Sequence, residues 1–446
     1  MKKWTAILLT AVLLLSLCAC GAEDPKPGEH ASSAAENTEP AQEETAPLSL
    51  SYWNNRPELD APLREAARLY REQTGVEVQV HSVAAEEYEQ ALSQALAGKE
   101  DVPGVFVLGL TSSEDLRSYA LNLRGSALAA ESLGEDYCLP GPDGALLGVG
   151  FHYESYGLIV NTKLLEQAGY TLEEVWGYDG LWKAANSIHT HAQELQFDAF
   201  TASGLWDETV LRLTGLLANI PLYYEFRDSG VQNTPAAIEG SYLPRFRALW
   251  DLMINDAQAD PVLLTNYDDA DAQTLFAEEK AVFYLQGSWA YASLAETMDP
   301  STLAMIPLCC DIPGEAGSGL SSGCRAYWAV NAAAPVEIQQ AALDFLSWLA
   351  SSQEGLSALS QALDALPFRQ APEPTNPFCA KAAWMEANGY RNIAWSFRLA
   401  PRTQRWQKAL GASLALYSMD PSDARWEEVR AAFVDGWALQ YALLGA

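Results

Sequence analysis

Residues 48–80 read LSLSYWNNRPELDAPLREAARLYREQTGVEVQV, and their hydrophobic period changes twice. Leu48–Trp53 alternates apolar and polar side chains, the period of a strand. From Pro57 to Thr74 the apolar positions Leu59, Leu63, Ala66, Ala67 and Tyr70 recur at helical spacing, and Gly75 stands where a helix-ending glycine belongs. Val76, Val78 and Val80 then alternate with polar residues as a second strand. Ala85–Ala97 reads as a helix ended by Gly98, and Val102–Leu110 is nearly all apolar, as expected of a strand covered on both faces. Strand, helix, strand, helix, strand with short links predicts βαβ units and a mainly parallel sheet.

A second α/β region begins near residue 150. Tyr156–Asn161, Ala281–Leu285 and Ala326–Asn331 read as strands. Glu173–Thr190, Asp207–Asn219, Leu243–Asn255 and Ala270–Glu279 read as helices, and a Gly/Ser loop spans Gly314–Gly323. Beyond Pro335 the pattern is helical: Ile338–Ser352, Gly355–Ala362, Trp406–Tyr417 and Asp423–Ala442.

Upstream of this body the chain changes character. Lys2 and Lys3 precede an apolar run from Trp4 to Leu17, the layout of a secretory signal and too short for a comfortable membrane span. Leu17-Cys18-Ala19-Cys20-Gly21 resembles the bacterial lipobox, with Cys20 as the lipidated residue; Cys18 fits less well because Leu17 is bulky at its −1 position. Gly21–Pro47 is rich in Ala, Glu, Pro, Ser and Thr, with seven acids and one base, a composition that buries too little apolar surface to order itself. Such a tether reaches roughly 30 Å. The expectation is a signal peptide over residues 1–19, a lipidated Cys20 heading an acidic tether to residue 47, and a body anchored to the outer face of the bacterial cell membrane.

Composition excludes several function classes. The 446 residues are 49% hydrophobic with 14 Trp, which excludes disorder for the body. A formal charge of −31 leaves no basic stripe for phosphates, so nucleic acid is not an expected partner. The acidic excess reads as solubility, or as attraction for a cationic ligand. After Cys18 and Cys20, five cysteines remain (Cys138, Cys309, Cys310, Cys324 and Cys379), and a link from Cys309 or Cys310 to Cys324 is an open alternative. Neither G-x-G-x-x-G nor a P-loop is present, and no cofactor is expected.

Catalytic and metal motifs also fail on their context. Gly319-Leu320-Ser321-Ser322-Gly323 matches G-x-S-x-G but leads into a strand, and all five His precede Ser321. His189 and His191 lie at i, i+2 on a helix and point apart. Asp268-Asp269-Ala270-Asp271 lacks the Gly and Glu of a calcium loop and reads as a helix cap. Tyr223-Tyr224 resembles the adjacent tyrosines of ferric-ion binders but lacks a His or acid partner. No enzyme activity is expected.

Five segments, in order, carry a family resemblance. They are Leu50–Asn55 with Tyr70–Val78; Tyr156–Leu165; Phe276–Phe283; Gly287–Ala290; and Ala342–Leu349 followed by Gln353-Glu354-Gly355. Together they resemble the extracellular solute-binding proteins of bacterial ABC importers, of the sugar-binding, maltodextrin-type family, over nearly all of residues 48–446. The resemblance implies an α/β, two-lobed periplasmic-binding-protein-like fold (type II), each lobe a mainly parallel sheet flanked by helices, with a cleft between the lobes. It places crossings near Gly148–Tyr153, Val282–Gln286 and Trp328–Asn331, with residues 48–149 and 286–330 in lobe I and 150–285 and 331–446 in lobe II. A small solute, a sugar by the resemblance, and ABC permease subunits are the implied partners of a monomer. Alternatives are a cationic or other small polar ligand, or a lipid-anchored scaffold or sensor.

A sugar cleft needs aromatic rings to stack on pyranose faces and polar groups to bind hydroxyls. By resemblance Trp53, Trp206, Trp289 and Trp406 occupy stacking regions, and Glu154 a hydroxyl-binding position. Asn54 and Asn55 follow Trp53 as neutral donors and acceptors. Many relatives carry an acid before the apolar part of the third strand; here the segment is Pro103-Gly104-Val105-Phe106, and the following loop offers Thr111, Ser112 and Ser113 instead.

Overall fold

The computed structural model describes residues 48–98, 102–201, 205 and 212–444. The expected signal, Cys20 and tether therefore lie outside the described residues. The strands are β1 (Ser49–Asn54), β2 (Glu77–Ser82), β3 (Val105–Gly109), β4 (Cys138–Pro140), β5 (Leu146–Gly150), β6 (Tyr153–Asn161), β7 (Asp198–Phe200), β8 (Ala281–Gly287), β9 (Leu303–Ile306), β10 (Ser321–Cys324) and β11 (Ala326–Val330).

The opening stretch folds as its period dictates. Helix Asp60–Thr74 buries Leu63, Ala66, Ala67 and Tyr70, and Gly75 ends it in the left-handed conformation at φ 79°. β2 turns Val78 and Val80 inward. β1 pairs in parallel with both β2 and β3, so the two expected βαβ units form. The whole first sheet has the order β2-β1-β3-β11-β5-β4. Its core includes Trp328, whose indole donates to the Tyr52 hydroxyl at 2.6 Å and stacks between Phe151 and Phe368.

The second sheet runs β10-β6-β8-β7, with β9 pairing the far half of β6. Here the α/β class holds but the expected parallel character does not. Only β7 and β8 are parallel; β6 is antiparallel to β8, β9 and β10, and in the first sheet β11 is antiparallel to β3 and β5. The cause is the way the chain passes between sheets. Only Phe151 and His152 separate β5 from β6, and only Arg325 separates β10 from β11. These links are far too short for a parallel crossover, which takes a dozen or more residues. Instead the two passages run side by side and antiparallel: Tyr153 pairs with Cys324 and Gly150 with Tyr327.

A third passage leads from helix Gln353–Leu359, which packs against helix Asp60–Thr74, to helix Pro377–Ala387, which packs against β6. Within it the Ala365 carbonyl accepts from the Tyr153 amide at 3.1 Å, and Asp364 pairs with His152 at 2.7 Å. The passages thus differ from two of the expected ones. Val282–Gln286 lies inside β8, and Trp328 inside β11. The sheet memberships differ accordingly: β9 and β10 belong to the second sheet, while helix Val336–Ser351 packs on the first, with Phe345 edge-on to Tyr52 at 6.2 Å.

Candidate interlobe binding site

In an open α/β sheet, ligands bind outside the carboxyl ends of the strands. Three such ends, those of β1, β3 and β8, lie near the passages between the sheets, together with the amino end of β6. β1 ends at Trp53-Asn54, and the Arg56 guanidinium behind it lies 5.9 Å from the Phe151 ring. β3 runs into Leu110, whose amide donates to the Arg325 carbonyl at 3.2 Å. Glu154 is the second residue of β6, and β8 ends at Gly287, two residues before Trp289.

Arg325 ties this corner together. Its Nε lies 2.8 Å from the Glu154 carboxylate, and its Cζ stands 4.6 Å from the centre of the Trp289 ring. The contact with Glu154 is one of charge: the oxygen concerned accepts no aligned hydrogen bond among the described residues. Trp289, half-buried, rests on the backbone of Gly287, where an added Cβ would fall 1.9 Å from Cζ3 of the indole. Only glycine lets the ring lie there.

At the ends of β1 and β2 a second group forms. Trp53 pairs in register with His81 and stacks on it at 5.8 Å. The Trp53 indole N–H, His81 Nε2 and Asn55 Oδ1 are buried and meet no hydrogen-bond partner among the described residues. A buried polar atom left unpaired costs roughly 1–3 kcal/mol. Three such atoms together mark a surface with unmet hydrogen-bonding capacity.

Behind the corner a polar network holds the passages. Asp364 joins His152 at 2.7 Å and accepts from Asn376 at 2.9 Å. Asn376 also donates to the Ser288 carbonyl at 2.9 Å, beside Trp289. The Ser288 hydroxyl accepts from the Ser155 amide, and Ser155 and Ser322 share a bond of 2.9 Å. Burial pushes the Asp364 carboxyl up, but the bonds from His152 and Asn376 outweigh it and hold the group below the usual carboxylate range. Cys324, at the same passage, is raised well above an ordinary thiol by burial, with Cys138 and Glu154 adding to it.

Not every expected residue reaches the corner. Glu154 and Trp289 meet at Arg325, whereas Trp53 and Asn55 lie in the second group at the end of β1. Asn54 is fully buried and holds its own turn, donating to the Arg56 carbonyl at 2.6 Å and to Ser82 at 3.0 Å. Ser112 is a loop staple, donating to Glu89 at 2.7 Å and accepting from the Gly109 amide at 2.9 Å. Trp406 corrects the expectation outright: it has no exposed surface, donates to the Phe433 carbonyl at 2.9 Å, and meets Trp437 edge-on at 5.4 Å. Trp206 lies outside the described residues. Arg325, Arg56 and His81 went unnoticed in the sequence. Arg325 left a trace there, a single charge in the otherwise uncharged run Ser321–Val330.

The motifs set aside on context stay aside. Ser321 lies in β10 and donates to the Ile393 carbonyl at 2.9 Å. His189 pairs with Asp198 at 3.0 Å, and Asp268 with Asp271 forms a capping box. Cys138, Cys309, Cys310, Cys324 and Cys379 are all free and buried. A hollow of about 720 Å³ opens between Arg124–Asp136 and Tyr223–Val231. Its Arg124 is paired with Glu135 at 2.6 Å and its Arg398 with Asp136 at 3.6 Å, so its charges are already matched. No helix among the described residues is long and apolar enough to cross a membrane.

A family model described as bacterial extracellular solute-binding protein matches residues 65–387. No curated protein matches the chain. Among solved structures, a family 1 extracellular solute-binding protein from Bifidobacterium longum subsp. infantis is 15% identical, with a TM-score of 0.67, over 90% of this chain and 100% of that one. RafE from Streptococcus pneumoniae is 16% identical, with a TM-score of 0.65, over 88% and 98%. A probable secreted solute-binding lipoprotein from Streptomyces coelicolor is 15% identical, with a TM-score of 0.64, over 87% and 99%. At these identities the likeness is one of fold.

Proposed function

We propose, from the premise that the chain belongs to the bacterial extracellular solute-binding protein family, that it captures a carbohydrate between its lobes and delivers it to an ABC permease while anchored to the membrane through Cys20. The observation that carries the reading is the Trp289 corner: an indole face beside the Glu154–Arg325 ion pair, at strand ends between two sheets. The face suits the apolar side of a pyranose ring, and the pair offers an acceptor and several donors to its hydroxyls. The unpaired Trp53 N–H, His81 Nε2 and Asn55 Oδ1 extend the polar surface toward β1. Structures of similar fold include RafE in complex with raffinose, AcbH, described as having an exclusive preference for β-D-galactopyranose, and a chitin oligosaccharide binding protein. Those ligands support a sugar for this chain as well.

In this reading the cleft does no covalent chemistry. Ligand is held at the corner, the lobes turn about the three passages, and the closed form is what the permease engages. A thermal-shift screen tests it, with raffinose, galactose, chitobiose, maltotriose, ribitol, spermidine and amino acids as probes. A ligand at about 1,000 times its Kd adds roughly 4 kcal/mol of stability. A rise in Tm with one sugar class is expected. A rise with spermidine alone would overturn the carbohydrate assignment. For the anchor, Cys20→Ala is expected to move the protein from the membrane to the soluble fraction; retention on the membrane would remove Cys20 from that role.

A further inference from the structure

We propose that Arg325 is a specificity-determining residue of the cleft: its guanidinium holds one face of Trp289 and keeps cations from it, so that a ligand stacking there is neutral or anionic. The proposal rests on the reading of this corner as the ligand site.

The placement is unusual for an arginine. Arg325 is the sole link between β10 and β11, in a run from Ser321 to Val330 in which every other residue is buried. Its own side chain is 52% exposed. The residue is fixed at both ends. Its carbonyl accepts from Leu110 at the end of β3, in the first sheet, and its guanidinium meets Glu154 and Trp289, which extend from the second. The indole cannot swing toward Gly287, since it already rests on that backbone. A ligand stacking on Trp289 must therefore share the ring with the guanidinium.

That arrangement decides which charges fit. A guanidinium over an indole fills the position a ligand cation would take. Glu154, the anion that would hold such a cation, is already matched by Arg325. A second cation would meet like charge at contact distance. The body as a whole pulls the other way: a formal charge of −31 raises the local concentration of cations around the molecule. The selection against them must therefore be local, and Arg325 supplies it. A polyhydroxylated ring meets no such barrier, because the guanidinium keeps donors to spare and the Glu154 oxygen still lacks an aligned hydrogen bond.

Removing the guanidinium should convert the corner into a cation site, an aromatic face beside an unpaired carboxylate. The test uses the full-length chain in a detergent without a sugar headgroup, with choline as the probe and tryptophan fluorescence and calorimetry as readouts. Wild type is expected to show no saturable response to choline. Arg325→Ala and Arg325→Gln should each bind choline at least about tenfold tighter than wild type. The gain should vanish in the double variant R325A/W289A, and Arg325→Lys should keep the exclusion. Saturable, Trp289-dependent choline binding by wild type would overturn the proposal. So would a failure of both neutral variants to gain binding, or a gain that survives loss of Trp289. The same preparations are screened with the sugar panel. If no sugar shifts wild type while Arg325→Ala gains choline, the carbohydrate reading falls and the role of Arg325 as a charge filter stands.

Discussion

Trp289 and Trp406 are both tryptophans near a helix start, and the structure gives them opposite fates. Trp289→Ala removes a half-buried indole and, on the proposed reading, is expected to weaken sugar binding by about 2 kcal/mol, roughly thirtyfold in Kd, with little change in Tm. Trp406→Ala empties a fully buried site between two helices and is expected to cost about 3–5 kcal/mol of stability, read as a lower Tm or a lower denaturant midpoint. An unchanged Tm for Trp406→Ala would contradict its placement. Gly287→Ala makes the subtler test. Gly287 has an ordinary φ of −96°, so alanine is allowed by the backbone, but its Cβ would collide with the indole. Loss of affinity in a stably folded Gly287→Ala protein is expected, and full affinity would show that the position of the Trp289 ring is unimportant. The sequence held the clue that separates the two tryptophans. Trp406, Leu410, Leu414 and Tyr417 repeat at helical spacing, and all are buried as one face of helix Thr403–Met419. Trp289 follows a strand and has no such company. Arg325 was less visible, since only the fold shows that a lone charge between two strands lies at a passage between sheets.

At the scale of elements, periodicity revealed what could bury one face and missed what buries all faces. Helix Asp60–Thr74 and β2 were legible because each keeps a wet side, and β3 because a short apolar run bounded by turn residues reads as a strand covered on both faces. Helix Asn219–Ser229 was not, since Ile220, Leu222, Tyr224 and Phe226 leave no dry stripe to recognise. The passage between β10 and β11 was less visible. Arg325 is the single charge in the run Ser321–Val330, but a lone charge does not by itself tell that the strands on either side belong to different sheets. The polar network at the passages gives a pH prediction. The Asp364 carboxyl is held low in the folded protein, so its contribution is present above its unfolded pKa of about 3.9 and is lost as pH falls through the lower folded value. Wild type should therefore lose stability on acidification below about pH 4 more steeply than Asp364→Asn. Parallel acid-unfolding curves for the two proteins would remove the His152–Asp364 pair from the account.

For the whole molecule, the three passages are the natural place for a hinge. Two of them are one or two residues long and lie side by side, and the third is held to them through Tyr153 and His152. On the proposed reading, a rotation confined there would carry Trp53 with the first sheet and Trp289 with the second. Ligand is thus expected to lower the radius of gyration measured by X-ray scattering, and the shift should be absent in Trp289→Ala at the same ligand concentration. An equal shift in both proteins would separate closure from the corner. The most direct test of the central claim is calorimetric titration of the full-length chain with the sugar panel and with spermidine, wild type against Trp289→Ala. The account predicts saturable binding of one sugar class by wild type, weakened roughly thirtyfold in the variant, and none of spermidine. Binding of spermidine and of no sugar, or sugar binding indifferent to Trp289, would contradict it.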